Sequence, residues 1–355
     1  MLATAPEITP DAGKPGATGT WKVDCRGMEI REYGARDLAT VTAVLELSNT
    51  VGKVDSPWEH PQTLTHALGI LRDGWDGTPP RCFAMTDAGR TVAAAQLWTF
   101  EWDNRHLAWL WLAVHPDARR RGHGSALLER LVEETRAMGR TSVGIDGWEC
   151  EQVKGFAAAH GFALKSQSIN RRQHLDELAP ATVAALYDEA AAAASSYELV
   201  RIAGRTPDDL LDAIAEMTAA INDATIDDLD LEDEVFTGER VRGFEEAALN
   251  RGCRLYRLVA RHRDSGRLAG HTVVAVEEER PQLGEQEDTS VVRAHRGHRL
   301  GLLLKAGMVR WLAEEEPRLR TIDTWNAESN THMIEVNERL GYRVMGRGLE
   351  FQRDV

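Results

Sequence analysis

The sequence predicts an α+β protein made of two similar domains in tandem, each a mixed, mostly antiparallel sheet with flanking helices. Three observations predict it. The chain has 355 residues, and domains of roughly 100–200 residues make two the natural number. Sliding the sequence against itself by 177 positions sets Val114, Arg119, Gly124, Ile145, Asp146 and Trp148 on Val291, Arg296, Gly301, Ile322, Asp323 and Trp325, with no gap between the arginine and the tryptophan. Each copy also reads as antiparallel strands followed by a strand–helix–strand crossover, the pattern of a mixed sheet. The expected division is a flexible arm over 1–26, a first domain over 27–176, a linking helix over 177–196 and a second domain over 197–355.

In the first copy a strand is expected at Met28–Tyr33, then helices at Asp37–Leu47 and Thr63–Arg72. Strands follow at Arg81–Thr86, Thr91–Glu101 and Leu107–Val114, the first two joined by a turn at Asp87–Gly89. Leu127, Leu128, Leu131 and Val132 give Ser125–Met138 a helical apolar stripe. A buried-type strand at Ser142–Asp146 and a short helix ending at Gly161 complete the copy. The second copy repeats the order: strand Tyr197–Ile202, helix Pro207–Asn222, an acidic loop, helix Glu239–Asn250, and strands Leu255–Arg261, Leu268–Val276 and Thr289–Val292. Helix Leu302–Glu315, strand Thr321–Trp325 and helix Asn330–Leu340 end it, and the alanine-rich Ala181–Ser195 reads as the linking helix.

Composition narrows the function. Apolar residues make up 43% and charged ones 28%, which excludes wholesale disorder. A formal charge of −14 repels a polyphosphate backbone, so no nucleic-acid partner is expected and a small cationic molecule is favoured. Cys25, Cys82, Cys150 and Cys253 form no CxxC pair, and His60, His66, His115 and His123 lack metal-ligand spacing, so no metal site is expected. With no apolar run of about 18 residues no membrane partner is expected either. A cytoplasmic monomer or homodimer is the resulting picture.

Val114-His115-Pro116-Asp117-Ala118-Arg119-Arg120-Arg121-Gly122-His123-Gly124 stands between a strand and a helix. Glycines there let backbone approach a ligand, and amides at the helix N-terminus suit an anion such as a pyrophosphate. The order strand, V-x-P, R-x-x-G-x-G and helix resembles the acetyl-CoA-binding signature of the GNAT acetyltransferases. The second copy resembles it through Val291, Arg296, Gly297, His298, Arg299, Leu300 and Gly301, with Arg299 in the place of the central glycine. Gly161-Phe162 and Gly341-Tyr342 match the family's Gly-aromatic step after the later helix. The resemblance implies acetyl-CoA, or another acyl-CoA, bound by Val114, Arg119, Arg121, Gly122, His123, Gly124 and Ser125 in one copy. In the other it implies Val291, Val292, Arg296, Gly297, His298, Arg299, Leu300, Gly301, Asn326 and Asn330.

Acetyl transfer to an amine needs a proton acceptor beside the nucleophile and a donor for the departing thiolate. Only the second copy carries carboxylates, Glu287 and Asp288, on the strand before its turn; the matched residues of the first are Leu110 and Trp111. Many family members place an acid tyrosine four residues before the Gly-aromatic step, where this chain has Ala157 and Asn337. Asn337 and Tyr342 are the remaining candidates on that side. Asp227, Asp228, Asp230 and Glu232, in the acidic loop, are expected to draw a cationic acceptor. The implied activity is an acyl-CoA-dependent N-acyltransferase acting on a small-molecule amine, with the second copy catalytic; a noncatalytic acyl-CoA-binding or scaffolding role stays open.

Overall fold

The structure is a computed structural model that describes residues 20–23 and 28–355. Residues 1–19 and 24–27 of the expected arm lie outside the described residues. The first half comprises β1 (Thr20–Val23), β2 (Met28–Tyr33), α1 (Leu38–Asp55), α2 (Leu64–Asp73), β3 (Arg81–Asp87), β4 (Arg90–Thr99), β5 (Leu107–Val114), α3 (His123–Ala137), β6 (Ser142–Trp148), α4 (Glu151–Ala159) and β7 (Ala163–His174). After α5 (Pro180–Ala193) come β8 (Tyr197–Ala203), α6 (Leu211–Thr218), α7 (Gly238–Asn250), β9 (Cys253–His262), β10 (Leu268–Glu277), β11 (Leu283–Val291), α8 (Leu300–Glu315), β12 (Thr321–Ala327), α9 (Thr331–Arg339) and β13 (Tyr342–Asp354).

Local chemistry fixes the helix starts. Asp37, Thr63, Thr237 and Asn330 each accept a hydrogen bond from a backbone N–H of the first turn of α1, α2, α7 and α9. On one face of the sheet α3 packs Leu127, Leu128 and Leu131 against Phe83, Leu97 and Leu110, while α8 packs Leu304, Met308 and Trp311 against Leu258 and Val274. The opposite face is covered by α1 in the first half, and by α6 and α7 in the second.

All thirteen strands join in one sheet, ordered β1-β2-β3-β4-β5-β6-β13-β7-β12-β11-β10-β9-β8. The last strand of each half is thus exchanged. β7 pairs with β12, setting Gln173 opposite Ile322, and β13 pairs with β6, setting Phe351 opposite Ile145. The two also pair with each other. Neither was foreseen in the sequence, because β7 is polar: Ser166, Asn170, Arg171, Arg172 and Gln173 are all buried. Its charge is offset inside the fold, where Arg172 makes a two-pronged contact with Asp323 at 2.6 and 2.7 Å.

Three further departures matter. α1 runs eighteen residues, to Asp55, well past Leu47. The helix expected over Pro207–Asn222 is instead broken into 3₁₀ turns around the eight-residue α6. β11 begins at Leu283, so Glu287 and Asp288 lie within a strand. In each half the parallel pair then splays. β5 and β6 pair only from Leu107/Ser142 to Leu110/Ile145, and β11 and β12 only from Leu283/Thr321 to Glu285/Asp323. Beyond those points each pair opens into a V with a glycine-rich turn at its upper end.

Candidate functional site

Both turns share one backbone path. Each leaves its strand through a 3₁₀ turn, Pro116–Ala118 or Arg293–His295, and then takes two left-handed residues before the helix. These are Arg120 (φ 62°) and Gly122 (φ 88°) in the first, and Gly297 (φ 85°) and Arg299 (φ 56°) in the second. Each copy spends its glycine on a different one of the two positions. Arg299 accordingly leaves the turn intact at a cost of about 1–2 kcal/mol for a left-handed L-residue, and its guanidinium pairs with Glu189 of α5.

The signature arginines fasten their own turns. Arg119 donates from Nε to the Val114 carbonyl at 3.2 Å and grips Asp55 of α1 at 2.6 and 2.8 Å. Arg296 repeats this with the Val291 carbonyl at 3.1 Å and Asp223 at 2.7 Å. That leaves the backbone amides of both turns, and at the first turn the exposed Arg121, to meet an anion. His298 packs beside the Tyr197 ring, and Leu300 is buried in the core.

The two cradles differ in what fills them. A Cβ at Gly124 would meet Phe156 of α4 at 3.3 Å and Val114 at 3.6 Å, whereas one at Gly122 would meet nothing within 4 Å, so the first cradle is tight only on the side of Gly124. Ser125, beside it, bonds to His160 at 2.9 Å. Gly297 and Gly301 have no atom within 4 Å of such a Cβ. The open second cradle fits a pyrophosphate-bearing ligand; the first is narrowed by Phe156.

The strand walls differ as well. β11 has a bulge against β10: Gln286 faces Val274 and Thr289 faces Thr272, so Glu287 and Asp288 together oppose Val273. The Gln286 amide holds the irregularity by donating to the Val273 carbonyl at 2.6 Å and to Thr272 Oγ1 at 3.0 Å. β5 pairs with β4 without any shift from Thr99/Ala108 to Ala93/Val114. A bulge leaves one backbone group outside the ladder, so only the second V offers a spare amide beside carboxylates.

Those carboxylates sit in a confined, like-charged setting. Burial, then Glu285 and Asp288, push Glu287 well above the usual carboxylate range, against a lowering pull from Arg251. Burial also raises Asp288, which Arg257 and Arg240 pull back. Glu234, from the acidic loop, is raised by burial to about 7, with Arg240 opposing and Asp288 adding to the rise. The guanidiniums are anchored: Arg251 donates to the Gly74 carbonyl at 2.7 Å and lies over Trp75, while Arg257 contacts His271 Nδ1 at 2.8 Å and Glu245 at 3.4 Å. Sequence reasoning missed these arginines, because Arg257 sits in an apolar strand where alternation reads as packing and Arg251 ends α7 where a basic residue reads as a helix cap. In the first V, Asp146 on β6 accepts from Trp109 Nε1 at 2.6 Å, and burial, with Glu59 adding, raises its proton affinity.

On the other side of the second V, Asn337 is fully buried and donates to Asn326 Oδ1 at 2.7 Å, leaving its own Oδ1 without a partner. Asn330 serves as the N-cap of α9, accepting from Met333 N at 3.2 Å. Tyr342 is buried at the start of β13, and burial raises its phenol. Val292 donates its N–H to the Ala269 carbonyl at 2.9 Å.

The acidic loop is a strap across the halves. Asp227 accepts from Ser166 of β7 at 2.8 Å and from Ser329 at 2.6 Å, and the Asp228 N–H donates to the Lys165 carbonyl at 3.1 Å. The Asp230 N–H donates to Gln352 of β13 at 2.7 Å, and Glu232 exchanges hydrogen bonds with Asn104 at 2.7 and 2.8 Å. The structure thus uses these four residues to tie strands and loops of both halves together, and brings Glu234 to the carboxylates of β11. At the seam the repeat-related Trp148 and Trp325 stack with centroids 4.9 Å apart, and Trp58 meets Trp148 at 5.0 Å. Among the described residues no group of three or more His, Cys, Asp or Glu is arranged to hold a metal ion, and no helix is long and apolar enough to cross a membrane.

Residues 49–162 match the family model described as the Acetyltransferase (GNAT) family. Among solved structures, the chain is similar to a tandem GNAT protein from the clavulanic acid biosynthesis pathway, at 28% identity and TM-score 0.77, over 92% of this chain and 98% of that one. It shares its fold with a GCN5-related N-acetyltransferase from Sphaerobacter thermophilus (18% identity, TM-score 0.61, covering 92% and 95%). A putative acetyltransferase from Pyrococcus horikoshii has it too (15%, 0.56, covering 94% and 92%). Among curated proteins no match is found.

Proposed function

We propose that this chain, which carries a GNAT family domain in its first half and the fold of a tandem GNAT protein throughout, is an acyl-CoA-dependent N-acyltransferase. In this reading the second copy does the chemistry on a primary amine of a small cationic acceptor. The bulge in β11 carries the reading, since it sets two carboxylates and an unladdered backbone group where the second V opens and has no counterpart in β5. Acetyl-CoA supplies the acyl group as an activated thioester.

The residues divide the work by position. Amides of the turn from Arg296 to Gly301 hold the pyrophosphate at the open cradle. Asn326 and Asn337 line the other wall, where the free Asn337 Oδ1 accepts a hydrogen bond from the ligand's amide-bearing arm. The carboxylates of Glu285, Glu287 and Asp288 attract the acceptor's ammonium, and Glu287 takes its proton. Burial and like charge give Glu287 the raised proton affinity that a base working near neutral pH needs. Asp288, held between Arg257 and Arg240, stays ionised more readily and steadies the resulting positive charge.

Release of free thiol from acetyl-CoA over a panel of diamines, amino alcohols and amino sugars tests the reading. Thiol release that depends on the amine supports it. Tight acetyl-CoA binding with no release for any amine would instead support a noncatalytic binding role.

A further inference from the structure

Lys305 lies on α8 four residues after Gly301, on the same face of the helix and one turn below the open cradle. Its side chain is 2% exposed and its ammonium lies 4.7 Å from the centre of the Tyr342 ring. The repeat sets Leu128 at the matching place in α3, and the Gly-aromatic step sets Phe162 opposite Tyr342. Both Leu128 and Phe162 belong to the apolar core of the first half. The second copy has therefore put an amine and a phenol where the first has an ordinary apolar pair. A buried lysine is expensive unless its charge is compensated or dispensable. No carboxylate offsets this one: Tyr342 of β13 is the titratable group against it, and burial alone holds its charge down, to about 7.

The level in the sheet is informative. Tyr342 pairs with Gln173, which pairs in turn with Ile322, one residue below the point where β11 and β12 part. Lys305 thus sits at the apex of the second V, on the face covered by α8 and α9. The carboxylates approach from the opposite face, with Arg240 and Arg251 of α7 and its C-terminus. The position from which the family's usual tyrosine would act is taken by Asn337, which cannot release a proton.

We propose that Lys305 is the acid of the second copy, giving its ammonium proton to the coenzyme A sulfur as the carbon–sulfur bond breaks. The inference rests on the acyltransferase reading above. The proton count closes: the bound ammonium gives one proton to Glu287, which passes it to solvent, and the amine gives a second by the same route as the carbon–nitrogen bond forms; the thiolate gains one from Lys305, which solvent restores, so one proton is released per turnover.

Lys305→Met tests this, with two readouts. Removing an uncompensated buried charge should leave the fold intact, which a melting curve checks. The first readout needs no turnover. With free coenzyme A bound, the nearby ammonium should pull thiol ionisation, followed by thiolate absorbance, below that of unbound coenzyme A, and K305M should return it to the unbound value. The second is kcat against pH: K305M should fall about 10²-fold or more and lose the basic limb shown by the native chain. Unshifted thiol ionisation in the native protein, or K305M turnover within threefold of native, would overturn the assignment of Lys305. Absence of any amine-dependent thiol release by the native chain would overturn the acyltransferase reading instead.

Discussion

Replacing Glu287 by glutamine keeps the shape of the side chain and removes its charge and its ability to take a proton. A general base contributes about 10²–10⁴-fold, so E287Q should lose at least about 2.7 kcal/mol of transition-state stabilisation in kcat/KM. The structure adds a pH signature. Glu287 is raised by burial and by Glu285 and Asp288, so the native kcat/KM should climb with pH at values well above the ordinary carboxylate range. E287Q should lose that rise. The same shift acts on stability with a definite sign. A carboxyl with a raised folded pKa contributes stability below its unfolded pKa and forfeits it as pH rises toward the folded one. As pH rises above the ordinary carboxylate range of about 4.5, the native melting temperature should therefore fall more steeply than that of E287Q. Initial rates of thiol release over a pH series, with melting curves at each pH, read both effects. E287Q with native turnover at every pH, and an unchanged acid limb, would refute the assignment.

Four other outcomes follow from the geometry. Gly301→Leu meets no protein atom within 4 Å at its Cβ and should leave the melting temperature unchanged while abolishing acetyl-CoA binding to the second turn by calorimetry. Arg119→Ala frees Asp55 from a pair about a third exposed, so chemical unfolding should show a loss of only about 0.5–1 kcal/mol, shrinking with added salt. Trp148→Ala and Trp325→Ala, measured singly and together by denaturant unfolding, should couple by about 0.5–1.5 kcal/mol through their stacking at 4.9 Å. Lys305→Met should raise stability near pH 7 relative to the native chain, with the difference narrowing toward pH 10, because a lysine with a lowered folded pKa binds fewer protons folded than unfolded in that window.

The repeat, the strand–turn–helix–strand core and the glycine-rich turns were legible because they are written in local patterns: apolar periodicity, left-handed residues and a fixed 177-residue spacing. Glu287 and Asp288 were legible as an acidic pair absent from the matched strand. The bulge that presents them was not, since it depends on the Gln286 amide reaching β10. β7 escaped because its buried Ser166, Asn170, Arg172 and Gln173 take partners from the second half, and β13 because the strands it pairs with, β6 and β7, lie in the first. The charge run from Asp223 to Glu234 read as one feature, yet the fold divides it: Asp223 fastens a turn, Asp227 to Glu232 strap the halves together, and Glu234 joins the carboxylates of β11. Lys305 was hidden inside a leucine-rich helix, where one polar residue looks like a surface position.

The exchange of β7 and β13 explains why a copy with a narrowed cradle and no bulge remains attached. β7 completes the second sheet, and its Arg172 holds Asp323 beside the parting of β11 and β12. β13 completes the first sheet yet begins with Tyr342, which lies against Lys305. Cutting the chain at α5 would strip each half of the strand its crossover pairs with and leave buried polar groups such as Arg172 unpaired, a cost of several kcal/mol per uncompensated charge. The first copy therefore stays part of the second copy's sheet whatever its own turn binds. Its Phe156 narrows one cradle at Gly124, and its last strand forms a wall beside the other.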